Sequence, residues 1–502
     1  MRRAGLLAIV ALVLSYASVA QGSGVNQLAH FSLVRALTHG TAVVDPYHWE
    51  TKDLSWYHGH YYSTKAPGVA FLTVGPYYVL DRSGILGLLS RLTGATETSV
   101  AIWVLGLIAA VMPMAVLLLL LRSVGNELEP GFGTIAAVTA GLATLLFPFA
   151  TLLFDHALAA MLGFAAFAVL WGARDRLWLV ALSGLLAGLA ITSEYPLALV
   201  AAGVGLYALS QNDRVRRASV YAAGVAVGVL PLVLYNWWAF GSPFHLSYEN
   251  AILQPGRTGH DVLGANTEGF FGVSTPQRGV AAQLLFGEIG LVTVTPVVVA
   301  GAAGLYVLWR KGWRREAVLA AALFVAFVVY NSGYGTPFGG GTPGPRFLIP
   351  MLPFAALGFA AAYRAWPWAT LGVAVPSAVV MLGVTATDPV RATTWSWVDR
   401  VVDGSFAGAG IWPRIPLAAL AVAGAVLCWR ATPIRRPRAD DIVAALLALG
   451  AAVGIAVAGP RLVGTNPKLL VLVFCALFGS VAFWHARFLA HRGPQATRSE
   501  SS

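Results

Sequence analysis

Cysteine is scarce in this chain, which has only two cysteines among 502 residues. Both of them, Cys428 and Cys475, lie inside apolar runs, where packing is the simplest role for a free thiol. Two isolated cysteines build neither a disulfide framework nor the paired spacing of a zinc site. The sequence therefore supports neither a disulfide-stapled scaffold nor a cysteine-ligated metal cluster.

Charge is scarce as well, since 11% of the residues are Asp, Glu, Lys or Arg and 57% are hydrophobic. The mean hydropathy is +0.71. A soluble domain of this size would not stay in solution with so little charge, so we predict a polytopic membrane protein. The formal net charge of +11 comes mainly from arginines in short loops, where positive charge sets membrane orientation. A nucleic-acid partner is not indicated.

Apolar runs alternate with polar loops along the chain, and most arginines fall in every second loop. This pattern predicts about fourteen transmembrane helices (12–14) with both termini cytoplasmic. We expect an all-α fold with one transmembrane domain over residues 1–484, no internal repeat, and a disordered cytoplasmic tail over 485–502. The first run ends in Ala-Ser-Val-Ala, which suits signal-peptide cleavage, but the many later spans favour an uncleaved helix.

Polar chemistry is concentrated in the first long exterior loop, residues 23–98. Amphipathic helices over 26–39 and 66–80 are predicted to lie on the membrane surface, because the second is shorter than the ~20 residues that a span needs. Between them lie carboxylates, histidines, tyrosines and two of the chain's four lysines. Loops of this length are usually functional, so we predict that this one is catalytic.

Two residues of this loop are the main candidates. Asp45 follows an apolar triplet and precedes Pro46, a placement that suits a turn as well as a catalytic carboxylate. Lys65 stands between tyrosines and a proline-started apolar stretch, where its ammonium group could bind a lipid phosphate or extend to headgroups. Asp53 or Glu50 could supply a second acid.

The histidines of the loop raise the question of a metal. His58 and His60 have a spacing that can serve a metal on a strand or turn, but no standard zinc signature is completed. No metal ligand is assigned, and a divalent cation stays open. The aromatic residues suit either an interfacial belt or stacking against a sugar. The candidate substrate-binding residues of the loop are Glu50, His58, His60, Tyr61 and Tyr62.

Three later segments place polar residues at the outer ends of predicted spans. Asp155 and His156 form one pair and Glu194 follows the next outward span, so each could cap a helix or bind substrate. Arg346 ends a Gly- and Pro-rich exterior loop, where it could grip a phosphate with two hydrogen bonds or anchor the interface. That loop lacks the Lys-Ser or Lys-Thr of a P-loop, so nucleotide binding is not implied.

Two motifs carry a family resemblance. Residues 61–68, Tyr-Tyr-Ser-Thr-Lys-Ala-Pro-Gly, and residues 344–350, Gly-Pro-Arg-Phe-Leu-Ile-Pro, resemble segments of bacterial members of the GT-C fold. This superfamily of polyprenyl-phosphate-dependent glycosyltransferases includes the protein O-mannosyltransferases and the lipid A aminoarabinose transferase. The resemblance is strongest over about 35–80, recurs weakly at 151–200, 236–248 and 339–355, and is absent from the last hundred residues.

The resemblance implies that Asp45 is the general base and that Lys65 contacts the carrier phosphate. The sequence departs from the family at two positions. Asp45-Pro46 stands where many members have an Asp-Glu pair, and Ala66 shifts the second proline position of the lysine motif. The first departure leaves the second acid and any metal dependence open.

Sugar transfer from a lipid phosphate needs a base for the acceptor hydroxyl and cations for the departing phosphate. We therefore expect an inverting hexosyl- or pentosyltransferase on the exterior or periplasmic face of the inner (plasma) membrane, with Asp45 as general base and Lys65 and Arg346 on the phosphate. Asp53 is the next catalytic candidate if Asp45→Asn retains activity. Its expected partners are a polyprenyl-phosphate sugar and a glycan, lipid or protein acceptor of the envelope. The rival class is a transporter or lipid flippase, but the predicted spans carry almost none of the midplane charges typical of that class.

Overall fold

The computed structural model describes residues 2–173, 175–252, 273–390, 396–404, 406 and 414–465. The predicted tail, 485–502, and the last predicted span lie outside them. The first eleven helices are α1 Arg2–Ala17, α2 Val25–Thr38, α3 Gly68–Arg82, α4 Ile85–Thr93, α5 Glu97–Gly106, α6 Met112–Leu128, α7 Gly133–Ala143, α8 Leu146–Phe149, α9 His156–Gly172, α10 Leu177–Ser193 and α11 Ala198–Leu209. The others are α12 Arg214–Phe240, α13 Arg278–Phe286, α14 Leu291–Val294, α15 Val297–Arg310, α16 Arg314–Ser332, α17 Leu352–Ala355, α18 Leu357–Ala365, α19 Pro367–Thr387, α20 Ser396–Val402, α21 Arg414–Ala431 and α22 Ala439–Thr465.

Several of these helices can cross a membrane. Among the described residues, six helical stretches are long and apolar enough, or up to eight if each of two bent helix pairs is one span. Five further apolar helices have 10–17 residues. The prediction of a mostly helical, multi-pass membrane protein is confirmed, whereas the count of about fourteen spans stays a prediction.

The polar segment 23–98 contains a β-hairpin that was not predicted. Strand β1, Leu54–Tyr57, pairs antiparallel with β2, His60–Ser63. His58 and Gly59 both have positive φ (48° and 86°), as the tightest two-residue hairpin turns require. The sequence signal for this turn is a His-Gly pair between aromatic residues, and the prediction from it was a possible metal spacing only.

The two predicted surface helices differ in exposure. Helix α2 corresponds to the predicted 26–39 helix, but nine of its 14 residues are buried, so it is part of the core. Helix α3 lies against it, with the Phe31 and Tyr77 rings 5.2 Å apart. Helices α3 and α4 expose apolar side chains such as Tyr78, Val79 and Leu92, as expected at a bilayer interface.

Helices α10 and α12 cross at a closely packed contact that is formed by glycine residues. Gly184 and Gly188 on α10 face Gly224 and Gly228 on α12, so each helix has a small-xxx-small pattern. A Cβ on Gly188 would lie 2.4 Å from the Val225 carbonyl oxygen, which shows how closely the backbones approach. Membrane helices commonly associate in this way. The crossing fixes the C-terminal end of α10, where Glu194 follows.

A buried carboxylate joins three helix ends elsewhere in the molecule. Glu129, 2% exposed, contacts Lys311 and lies 3.2 Å from the Arg364 Nε. Glu129 follows α6, Lys311 follows α15, and Arg364 lies near the end of α18. All three segments are predicted to be cytoplasmic. Arg364 is at one end of the bent helix pair that begins with Arg346, so this ion cluster and Arg346 lie at opposite ends of that unit.

Candidate functional site

At the open end of the hairpin, opposite the turn, a carboxylate and an ammonium group form an ion pair. The last paired residues are Leu54 and Ser63, so the residues beyond them, Asp53 and Thr64, also face each other. The Thr64 hydroxyl donates to Asp53 Oδ1 at 2.7 Å, and the Lys65 Nζ lies 2.5 Å from Asp53 Oδ2. Both charged side chains are less than one-fifth exposed. The strand register therefore builds an ion pair that the sequence separation alone does not reveal.

Three neighbouring segments hold this end of the hairpin. The Ser63 hydroxyl donates to the Ala29 carbonyl of α2 at 2.8 Å. The buried Ser247 hydroxyl, beyond α12, donates to the Thr64 carbonyl at 2.9 Å and lies 3.0 Å from the Tyr195 hydroxyl. Since Tyr195 adjoins Glu194, these bonds fix the Lys65 segment relative to the end of α10.

The start of α9 and the end of α10 supply a second acidic group. His156 Nδ1 lies 3.0 Å from Glu194 Oε2 and 3.5 Å from Asp155 Oδ1. All three residues are at most 9% exposed. The geometry forms no hydrogen bond, and both nitrogens of His156 and both oxygens of Glu194 have no hydrogen-bond partner within the described residues.

Arg346 reaches this group from the Gly- and Pro-rich loop. Its guanidinium carbon lies 5.4 Å from the Phe154 ring centre and 5.3 Å from that of Phe347, and the Phe347 ring packs 6.0 Å from His156. Gly339, with φ +84°, lies against the arginine, since a Cβ there would be 2.4 Å from the Arg346 Nε. The glycine-rich loop is thus needed to admit the buried arginine. Together these residues form the polar cluster: Asp53, Lys65, Asp155, His156, Glu194 and Arg346.

Burial has the largest effect on the pKa of the two buried acids, Asp155 and Glu194. Burial raises the pKa of Glu194 to about 8, although the positive charges of Arg346 and Lys65 act in the opposite direction. Burial also raises the pKa of Asp155, with His156 opposing the shift and Glu194 adding to it. The cluster therefore combines cations with carboxylates that hold protons readily when no ligand is bound.

Asp155, His156 and Glu194 fit a divalent cation. One ligand atom from each lies within 4.8 Å of the others. Ligands about 2.0–2.1 Å from a tetrahedral zinc ion would be roughly 3.4 Å apart, close to the separations of 3.0 and 3.5 Å seen here. The sequence predicts substrate binding for these three residues and assigns no metal ligand.

Asp45 lies apart from the polar cluster. Its carboxylate accepts hydrogen bonds from the His60 Nδ1 at 2.7 Å and from the Tyr61 backbone N–H at 2.6 Å, and its side chain is 40% exposed. Tyr61 is four residues from Lys65, roughly 13 Å along an extended chain. The structure thus brings Asp53, not Asp45, to Lys65.

The other candidates of the loop have local partners. Glu50 accepts two hydrogen bonds from Arg35, at 2.9 and 2.5 Å. His58 stacks on Tyr57 at the exposed hairpin turn. The Tyr61 ring packs between His48 and Trp56, at 4.6 and 4.5 Å, and the Tyr62 ring lies against Phe240.

His30, on α2, was not among the predicted site residues. His30 is fully buried, and its Nε2 lies 4.0 Å from Asp155 Oδ2. Asn26 and Gln27, one turn earlier, are also buried. A polar stripe on a helix whose other residues are largely apolar was a signal for this side of the site, but the prediction placed this helix on the membrane surface.

Solved structures provide the comparison with known proteins, because no protein-family model and no curated protein matches the sequence. ArnT from Cupriavidus metallidurans bound to undecaprenyl phosphate is 16% identical over 97% of this chain and 76% of its own, with a TM-score of 0.45. The archaeal oligosaccharyltransferase AglB from Archaeoglobus fulgidus, in complex with an inhibitory peptide and a dolichol-phosphate, is 14% identical over 86% of this chain and 56% of its own, with a TM-score of 0.48. Both are polyprenyl-phosphate-dependent glycosyltransferases of the GT-C fold, the superfamily that the two motifs predicted. At these identities and TM-scores the likeness assigns no activity to this chain.

Proposed function

We propose that this chain is a membrane glycosyltransferase that moves a sugar from a polyprenyl-phosphate carrier to an envelope glycan, lipid or protein on the exterior face. The observation that carries the proposal is the polar cluster. Two cations from segments 281 residues apart, Lys65 and Arg346, lie with three carboxylates, two of which stand at the ends of apolar helices. Such a site can hold a lipid-linked phosphate while the lipid chain remains in the bilayer.

The two cations bind the phosphate. The glycosidic bond breaks between the anomeric carbon and the phosphate oxygen, and negative charge builds on that oxygen. Lys65 and Arg346 stabilise this charge in surroundings largely shielded from water, where electrostatic interactions are strong. The motifs at 61–68 and 344–350 contain these two residues.

A carboxylate accepts the proton of the acceptor hydroxyl. Asp53 is the better placed candidate, because it already contacts Lys65. A phosphate that arrives at Lys65 competes for its ammonium group and leaves Asp53 beside the reacting carbon. The hydroxyl oxygen then attacks the anomeric carbon directly, so the configuration inverts. General base catalysis of this kind contributes roughly 10² to 10⁴ in rate.

A divalent cation fits the same site. Asp155, His156 and Glu194 would hold it, and it would supply further positive charge for the phosphate. Its occupancy would keep Glu194 ionised despite burial, because a metal ligand has to be deprotonated.

Sugar transfer in proteoliposomes tests the proposal. The donor is a mixed pool of radiolabelled undecaprenyl-phosphate sugars, and the acceptor is an envelope extract. The intact protein should incorporate label, Asp53→Asn should lose at least about a hundredfold in rate, and Asp45→Asn should retain most of it.

Two other outcomes of the transfer assay would change the proposal. Loss with Asp45→Asn and activity with Asp53→Asn would return the base to Asp45, as the family resemblance implies. No incorporation by the folded intact protein would contradict the glycosyltransferase and favour transport, for which lipid flux would be measured next.

A further inference from the structure

We propose that His30 is a third phosphate-binding residue, whose ring N–H donates a hydrogen bond to an oxygen of the lipid phosphate held by Lys65 and Arg346. The inference rests on the proposed function and extends it to a residue outside both sequence motifs. Two observations support it. His30 lies beside the polar cluster, and its ring has no hydrogen-bond partner within the described residues.

Helix α2 holds His30 against the cluster. The preceding residue, Ala29, accepts a hydrogen bond from Ser63, two residues before Lys65. On its other side, His30 faces Asp155 across 4.0 Å. His30 therefore lies between the hairpin end and the start of α9, the two segments that contribute Lys65 and Asp155.

The ring of His30 has no hydrogen bond within the described part of the chain. Neither Nδ1 nor Nε2 has a partner, although the residue is fully buried. Asp155 is too distant to accept a hydrogen bond at 4.0 Å. Buried N–H groups are almost always satisfied, so an unpaired one that faces a polar site indicates a ligand.

The surroundings indicate that this ligand is an anion. The ring of His30 carries at least one N–H donor in either protonation state. The nearest cations, Lys65 and Arg346, attract a phosphate. An N–H of His30 can donate a hydrogen bond to a phosphate that these cations bind.

Binding of two lipids by the purified full-length protein tests the inference. The probes are undecaprenyl phosphate and undecaprenol, which differ only in the phosphate. His30→Leu should weaken binding of the phosphate roughly tenfold or more, as expected for a lost hydrogen bond to a charged group, and leave undecaprenol binding unchanged. His30→Gln, which keeps an N–H donor, should restore much of the loss. The control is Ser32→Ala, because Ser32 is equally buried on α2 but, among the described residues, its hydroxyl donates within its own helix, to the Ala29 carbonyl.

Three results would overturn the inference. Equal phosphate binding by the intact protein and His30→Leu would remove His30 from the site. An equal loss for both lipids would make its role structural. If the intact protein itself does not prefer undecaprenyl phosphate to undecaprenol, the proposed function fails, and this inference fails with it.

Discussion

Glu194 is a residue of the polar cluster whose pKa is strongly raised by burial. Its carboxylate lies near Arg346 and Lys65, yet burial raises its pKa to about 8. Between the usual pKa of about 4.5 and that value, the folded protein holds a proton on Glu194 that the unfolded chain has lost. Because the folded state binds more protons than the unfolded state in this range, the stability of the protein decreases as the pH rises.

We therefore expect the ligand-free protein to lose thermal stability as the pH rises from about 6 towards 8, with little further loss from this residue above 8. Thermal unfolding in detergent, with chelator present, measures the effect. Glu194→Gln removes the titrating group and should flatten the pH dependence over this range. An unchanged slope in this variant would assign the dependence to another group. Glu249→Gln, at a side chain that is 40% exposed, serves as the control.

At the scale of elements, the crossing of α10 and α12 fixes where Glu194 stands. Its contacts are between backbones, because glycine occupies the closest positions on both helices. A methyl group has no space there, and neither backbone can move without shifting the ends of both helices.

Gly188→Ala should therefore destabilise the protein by about 1–3 kcal/mol and reduce transfer, since it moves the end of α10. The matched control is Gly454→Ala on α22, where an added Cβ meets nothing within 4 Å. That change should be neutral or slightly stabilising, because alanine favours helix more than glycine does. Thermal unfolding of both variants makes the comparison. Equal stability of the two would show that α10 and α12 do not pack in this way.

The hairpin shows where prediction from the sequence stopped. Lys65 and Arg346 could be identified from their motifs, and Asp155 and Glu194 from their places at the ends of apolar runs. The pairing of Asp53 with Lys65 depends on strand register, which rests on two positive-φ residues at the turn. His30 was missed for a different reason, because periodicity shows that a helix has a polar face but does not show whether that face meets water or a buried site.

At the scale of the whole molecule, the apolar runs predicted the membrane class, because composition alone limits what a chain can do in water. The number of spans is harder to predict, since several apolar helices are short and two helix pairs bend by 89° and 55°. Hydropathy measures the length of a run and contains no information about such bends. The grouping of Glu129, Lys311 and Arg364 agrees with the prediction that their three loops share one side of the membrane, because an ion cluster requires the loops to meet.

The two ends of the molecule can be assigned to opposite sides of the membrane by labelling. In a chain without Cys428 and Cys475, a membrane-impermeant maleimide should label Trp49→Cys in intact spheroplasts, because Trp49 is 74% exposed in the loop that is predicted to be exterior. Arg310→Cys, at the exposed end of α15 beside the Glu129 cluster, should be labelled only after the membrane is opened. The positive-inside pattern gives this direction, since Arg310, Lys311, Arg314 and Arg315 lie together. The reverse labelling would place the polar cluster on the cytoplasmic side, and the proposed acceptor would then have to be a cytoplasmic molecule rather than an envelope polymer.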